Sequence, residues 1–414
     1  MFKLQVLIKI VMLIPHRPNI PPEVLDYTVD FLHDDQEALK KCCIASKSWI
    51  PRTRTHLFAR IELRSAVKLE LWKRMFPDNS NSPAHNTHTL LLRCPEVVTA
   101  ADAGDDSWIH AFSRVTQLLV QAYPTNLRGL EVSLIPFRRF SPILKSLCLY
   151  SSSLQNSQIF DLISILPHLE DLALTVNGLR DDASNFDAPP AVGQPSPAFT
   201  GTLHLAISGK IEPTVRWLLG LPDGLHFRKL VLSRLNGEDL QSATALVAGC
   251  LYTFECLVVT YQPGSAFILL PHFTSCPPSV LGGSCPISID LSKATKLRDV
   301  SFLLTSLSVE YVTQTLQTLT PEHQDFRQIS INVPYRQALS NDGVGVGQAV
   351  GEPVYNQWSE LDRLLIQLWD SRSIRPKISY FAMKEERRQM AKSVGYLLPR
   401  AAKEKILDLV EWLG

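Results

Sequence analysis

The sequence predicts an α/β chain. A short three-helix module comes first, followed by an irregular solenoid of strand–helix repeats with parallel strands on one face and helices on the other. Three observations predict this. The stretch from Ile20 to Phe58 has helical apolar spacing but too little mass for a core of its own. From Phe58 onward a six-residue pattern recurs: apolar, two others, apolar, one other, apolar. The intervals between its copies carry helical periodicity. The boundaries that follow are an apolar tail at 1–17, the helical module at 18–58, and a repeat domain at 59–414 closed by a C-terminal helical cap.

Composition supports a folded chain. Of 414 residues, 45% are hydrophobic and 20% charged, which suits a globular protein and not a disordered one. The net charge of +1 offers no basic footprint for nucleic acid. Proline, at 28 residues, clusters between the periodic segments as punctuation. Eight cysteines include no C-x-x-C pair and lie mostly in apolar runs, so they read as buried thiols of a reducing compartment, cytoplasmic or nuclear.

In the tail, ten of the thirteen residues Phe2 to Ile14 are apolar. That is short of the roughly 20 residues a membrane-spanning helix needs, and no small-x-small cleavage site follows. An extra packed element or a loose tail is expected here, with secretion or anchoring the alternative; a membrane partner is not expected.

In the module, Pro21-Pro22 and Glu23 suit a helix N-terminus. Val24, Leu25, Thr28, Val29 and Leu32 follow at helical spacing. Asp34-Asp35 can cap a second helix at 36–45, with Leu39, Cys42 and Ala45 on one face. Ser46 can cap a third that carries Trp49 and Pro51 and closes at Leu57 and Phe58. Ile20-Pro21, Glu23, Leu25, Leu32, Leu39, Cys42 and Lys47-x-Trp49 together resemble the F-box. The likeness is to F-box-like proteins abundant in mushroom-forming fungi, which continue into leucine-rich-like repeats. Ile20-Pro21-Pro22 stands where that family carries Leu-Pro, and Thr28 where it carries an aliphatic.

The resemblance implies that the module docks a Skp-family adaptor, which links it to a cullin–RING ubiquitin ligase of the SCF type. The docking residues it implies are Ile20, Pro21, Leu25, Leu32, Leu39, Cys42 and Trp49. Some of these must hold the helices together. Pro21 and Leu25 are the first expected to dock, and Trp49 is equally suited to a core. The other reading of the stretch is a three-helix cap on the repeats, which would bury Pro21 and Leu25.

The repeat pattern places its middle residue at 61, 90, 118, 147, 172, 203, 230, 257, 300, 329 and 378. Spacings run from 25 to 31 residues except for 43 and 49, where insertions fall. Such a period resembles the leucine-rich repeat, although the family's Asn follows a strand only at Asn177. A doubly wound α/β domain is the alternative. Helices are expected around Ile159 to Leu166, Val309 to Leu319, Trp358 to Leu368, and Arg400 to Gly414, the last burying Ile406, Leu407, Val410 and Leu413. Segments 78–88, 181–197, 263–286 and 336–353 read as linkers or insertions.

Because side chains alternate along a strand, the residue between the last two apolar positions of each copy faces away from the core. These residues are Glu62, Leu91, Leu119, Cys148, Ala173, His204, Val231, Val258, Ser301, Ser330 and Ser379. The apolar members and His204 form the expected surface for a target protein, unless loops cover it.

No catalytic chemistry is expected. Gly343-x-Gly345-x-Gly347 lacks the strand, helix and Lys of a phosphate loop. His85 and His88 have no third ligand nearby, and Cys276 and Cys285 stand alone, so no metal or other cofactor is expected. Lys384, Arg387, Arg388 and Lys392 alternate with Glu385 and Glu386, as on a solvated helix. The expected function is substrate recognition for a ubiquitin ligase; the alternative is a repeat scaffold that binds partners without that connection.

Overall fold

The structure is a computed structural model that describes residues 21–77, 82–93, 107–122, 134–151, 156–177, 197–208, 210–261, 288–303, 309–334, 352–372, 374, 376–381, 394–405 and 408–411. The apolar tail, Ile20, segments 181–196 and 263–286, Gly343, Gly345, Gly347, Cys276, Cys285 and the basic cluster at 384–392 lie outside these residues. The chain forms two compact units, 1–151 and 152–414.

The first unit begins with α1 (Pro22–Phe31), α2 (Gln36–Ala45) and α3 (Ile50–Leu57), the last preceded by a 3-10 turn at Lys47–Trp49. Proline in the first turn of α1 costs no hydrogen bond, because the first amides of a helix lack intrahelical partners. The Asp35 carboxylate accepts from the Ala38 amide at 2.9 Å and so fixes the start of α2. Ser46 does not cap α3 as expected: its hydroxyl meets that of Ser48 at 2.8 Å, and α3 starts at Ile50 with Pro51 in its first turn.

Val29, Leu32, Ala38, Leu39 and Cys42 are buried together, with Trp49 and Leu57 packed against them. The module therefore has a core after all, though a small one. It continues into the first repeat: β1 (Arg60–Leu63) follows α3, and α4 (Ala66–Met75) follows β1. Phe58 meets Trp72 of α4 edge-on at 6.3 Å, and Trp72 stacks on Phe112 at 5.8 Å. The Thr87 hydroxyl donates to the Phe58 carbonyl at 2.9 Å. Strands β2 (Thr89–Leu92), β3 (Gln117–Ala122) and β4 (Ser146–Ser151) extend the sheet, each pair parallel.

The second unit repeats the plan. Its strands are β5 (Asp171–Asn177), β6 (Thr202–Ser208), β7 (Lys229–Leu235), β8 (Cys256–Tyr261), β9 (Asp299–Leu303), β10 (Gln328–Pro334), β11 (Lys377–Phe381) and β12 (Asp408–Glu411). They pair in chain order and all in parallel. Its helices are α5 (Asn156–Ser164), α6 (Glu212–Leu219), α7 (Leu240–Gly249), α8 (Val309–Gln317), α9 (Glu352–Arg372) and α10 (Pro399–Lys403).

The hexad pattern fixes the register. Ile61, Leu90, Leu118 and Leu147 are aligned in the first unit, and Leu172, Leu203, Leu230, Leu257, Val300 and Ile329 in the second. All ten are buried, as are the residues two further along each strand. Just before several strands an amide reaches the preceding repeat, as in Arg228 to Gly201 (2.9 Å), Glu255 to Arg228 (2.8 Å) and Arg298 to Glu255 (2.7 Å). The last of these spans the long spacing between β8 and β9 without loss of register.

Two expectations fail at the C-terminal end. Ile378 pairs with Ile331 and not with Ile329, so the last hexad is displaced by two residues, which keeps its alternation in phase. The terminal segment is not a single helix. It forms the short α10 and then β12, which pairs with β11. Two causes combine. The Asp362 carboxylate of α9 accepts from the amides of Arg400 and Ala401, both at 2.9 Å, and anchors a short helix start. The free edge of β11 then offers a ladder that the segment Asp408–Glu411 joins through its backbone.

Candidate docking surfaces

The three helices sort the expected adaptor residues into two groups. Leu32, Leu39 and Cys42 are 5%, 0% and 3% exposed and form the internal core of the module, so they hold the helices together and do not face a partner. Burial also raises the pKa of the Cys42 thiol. Trp49 is half-buried against that core. Pro21 is exposed. Ile20 and the side chain of Leu25 lie outside the described residues.

Sequence reasoning missed the residues that α1 turns outward: Val24, Tyr27 and Phe31, 51%, 73% and 60% exposed. They stand at i, i+3 and i+7 and so share one face. The opposite face carries Val29 and Leu32 into the core. The signal was present in the sequence, because α1 is apolar on more than one side and only one side can meet α2 and α3. Ile44 of α2, 87% exposed, is a further apolar residue outside the core.

Polar contacts set the position of α1. Both Asp30 carboxylate oxygens accept from the Arg52 guanidinium of α3 at 2.6 Å, and Asp30 Oδ1 meets His56 Nε2 at 2.7 Å. These bonds, Arg52 first and then His56, hold the Asp30 pKa down at about 2. A bidentate Arg–carboxylate pair fixes orientation as well as distance. It ties α1 to α3.

The strand face is organised as rows. In the first unit Leu91, Leu119 and Cys148 are in register. Leu119 and Cys148 are half-buried, but Leu91 is only 2% exposed, so it is a packed residue and not the surface residue expected from the alternation. Beside it on the same face, the ion pair of Arg93 Nε with Glu62 Oε1, at 2.6 Å, occupies the end of the row.

In the second unit Ala173, His204, Val231, Val258, Ser301 and Ser330 form one row, each half-buried. His204 Nε2 meets the Ser233 hydroxyl at 3.3 Å, and burial, with help from the Lys229 charge, lowers its pKa. Ser379 pairs with Asn332 and not with Ser330, following the two-residue displacement of β11. Among the described residues the row thus consists of small and medium side chains, each half-buried.

The buried polar groups of the second unit serve the fold. Asp239, 2% exposed, accepts from the amides of Ile211 and Asn236, both at 3.1 Å, and so holds the start of α6. His323, also 2% exposed, contacts the Leu291 carbonyl through Nε2 at 2.8 Å. Burial pushes the Cys250 thiol up to about 12, so it stays protonated at neutral pH. Among the described residues, no group of three or more His, Cys, Asp or Glu side chains could hold a metal ion. No helix among them is long and apolar enough to cross a membrane.

No protein-family model matches the chain, nor does any curated protein.

Proposed function

We propose that this chain is an F-box-like substrate-recognition subunit of an SCF-type cullin–RING ubiquitin ligase. The N-terminal helices dock a Skp-family adaptor, and the leucine-rich-repeat-like domain binds a target protein. The observation that carries the reading is the outward stripe of α1. Val24, Tyr27 and Phe31 remain exposed although α1 already contributes Val29 and Leu32 to the core of the module. Three large apolar side chains on one helix face are anchors of the kind that dominate protein interfaces. Exposed Pro21, at the entry to α1, extends the same surface. The role asks for no catalytic residue in this chain and places it in the cytoplasm, the nucleus or both. Target binding falls to the half-buried strand rows, Ala173, His204, Val231 and Val258 in the second unit and Leu119 and Cys148 in the first.

The test is capture of purified Skp-family adaptor by the full chain, with Val24→Asp/Tyr27→Asp in parallel. The expected result is binding by the wild type and at least about a tenfold loss in the variant, roughly 1.4 kcal/mol or more, with an unchanged circular dichroism spectrum. A wild type that captures no adaptor overturns the ligase reading. A repeat scaffold without ligase function would then remain, and one observation favours it: Phe58, Trp72 and Phe112 join the module to the first repeat as a cap would.

A further inference from the structure

The helix of the first repeat, α4, carries a second outward stripe that the docking role of α1 does not use. Val67, Leu71 and Met75 are 77%, 54% and 54% exposed. They stand at i, i+4 and i+8, one line along a ten-residue helix. The inner side of α4 is satisfied, with Leu69 and Trp72 only 1% and 8% exposed.

The two stripes match in length and chemistry. α1 and α4 are both ten residues long, and each presents three large apolar side chains over about two turns. Their borders carry opposite net charge: on α4 the exposed Glu70 is paired with Lys73 at 3.2 Å, which leaves Lys68 and Arg74 in excess. On α4, Lys68 lies three residues before Leu71, and Arg74 three residues after it; both are exposed. On α1, Glu23 lies four residues before Tyr27, with Asp26 beside it, and both are exposed. None of these four side chains makes a salt bridge among the described residues. Within one copy the stripes do not cover each other, because both are exposed there.

We propose that the occupant of the α4 stripe is α1 of a second copy of this chain. The apolar lines pack together, Lys68 and Arg74 face Glu23 and Asp26, and the two contacts of a symmetric pair are equivalent. Self-association and adaptor capture then use the same face of α1. The contact itself does not depend on the adaptor reading.

Sedimentation velocity of the full chain, from low to high micromolar, tests this with two variants. The wild type is expected to associate with rising concentration, and less strongly as salt is raised. Leu71→Asp and Tyr27→Asp are each expected to sediment as monomers. An equimolar mixture of the two is expected to associate again, because it restores one intact α1 face against one intact α4 face. A wild type that stays monomeric overturns the proposal, as does an assembly that survives either substitution or a mixture that stays monomeric. Lys68→Glu/Arg74→Glu, rescued by mixing with Glu23→Lys/Asp26→Lys, reads the same contact without placing a charge on an apolar position. Adaptor capture separates this proposal from the preceding one: Leu71→Asp should retain it and Tyr27→Asp should lose it.

Discussion

The N-terminal helices and the repeats of the second unit solve the burial of apolar surface in opposite ways. Each repeat strand hands its apolar residues to a continuous core: Leu230 and Leu232, Leu257 and Val259, and Val300 and Phe302 are all essentially inaccessible. The helices beside them are amphipathic in the ordinary sense, α8 burying Val309, Val312 and Leu316. The module has a core of five buried residues, yet it leaves Val24, Tyr27, Phe31 and Ile44 outside. A stacked repeat borrows core from its neighbours on both sides. The module meets the repeats along α3, at Phe58 and at the turn Pro83–Asn86, and keeps exposed apolar side chains on α1 and α2. Among the described residues of the second unit the exposed large apolar side chains, Leu219, Tyr252, Leu303 and Tyr396, sit on four different segments, whereas α1 and α4 of the first unit each line up three on one face, and that is where partner binding is best sought.

The comparison predicts different responses to damage. The largest effect is expected from Phe227→Ala in the repeats. Phe227 is fully buried and lies 4.6 Å, ring to ring, from Phe199. The cavity should cost about 3–5 kcal/mol, lowering the urea midpoint of the second unit. Leu39→Ala in the module comes next. It should cost about 2–5 kcal/mol, and hydrogen exchange should show the loss of protection over 21–57 and not over β5 to β10. Spread of that loss through the repeats would mean that the module core and the repeat core are one.

The smallest effect concerns the tie between α1 and α3. Asp30 is held at about 2 against an ordinary 3.8, so its folded pKa is depressed. The stabilisation is therefore complete above the unfolded value and is lost as pH falls from about 4 toward 2. The urea midpoint of Asp30→Asn should lie below that of the wild type at neutral pH, and the gap should close across that window. A gap that persists at pH 2 would show that the pair adds nothing through its charge. Asp30 is about a third exposed, so the effect is small beside the two cavities.

Much of the fold was legible in particular residues. The hexads at 227–232, 254–259 and 326–331 announce strands because alternation along a strand has a strict period of two and one face must be buried. The helix around Ile159 to Leu166 was legible for the matching reason at a period of 3.6. The proposed docking surface was less legible. Leu32, Leu39 and Cys42 bear the same apolar signal whether they meet a sister helix or a partner, and the structure puts them inside. Tyr27 and Phe31 carry no signal of their own for exposure, because an aromatic on a helix suits a core as well as a surface until the neighbouring helices are placed.

By itself the sequence determined the alternation of strand and helix, the register from Ile61 to Leu147 and from Leu172 to Ile329, and the helical nature of 22–57. These follow from local periodicity, and periodicity depends only on which residue types succeed one another. Tertiary structure alone decided which apolar faces find a cover. It placed Leu91 inside and Val24 outside, moved Ile378 to the level of Ile331, and drew 408–411 into a strand. The physical reason is that burial and edge pairing are properties of what lies opposite, and no run of residues specifies its own opposite side.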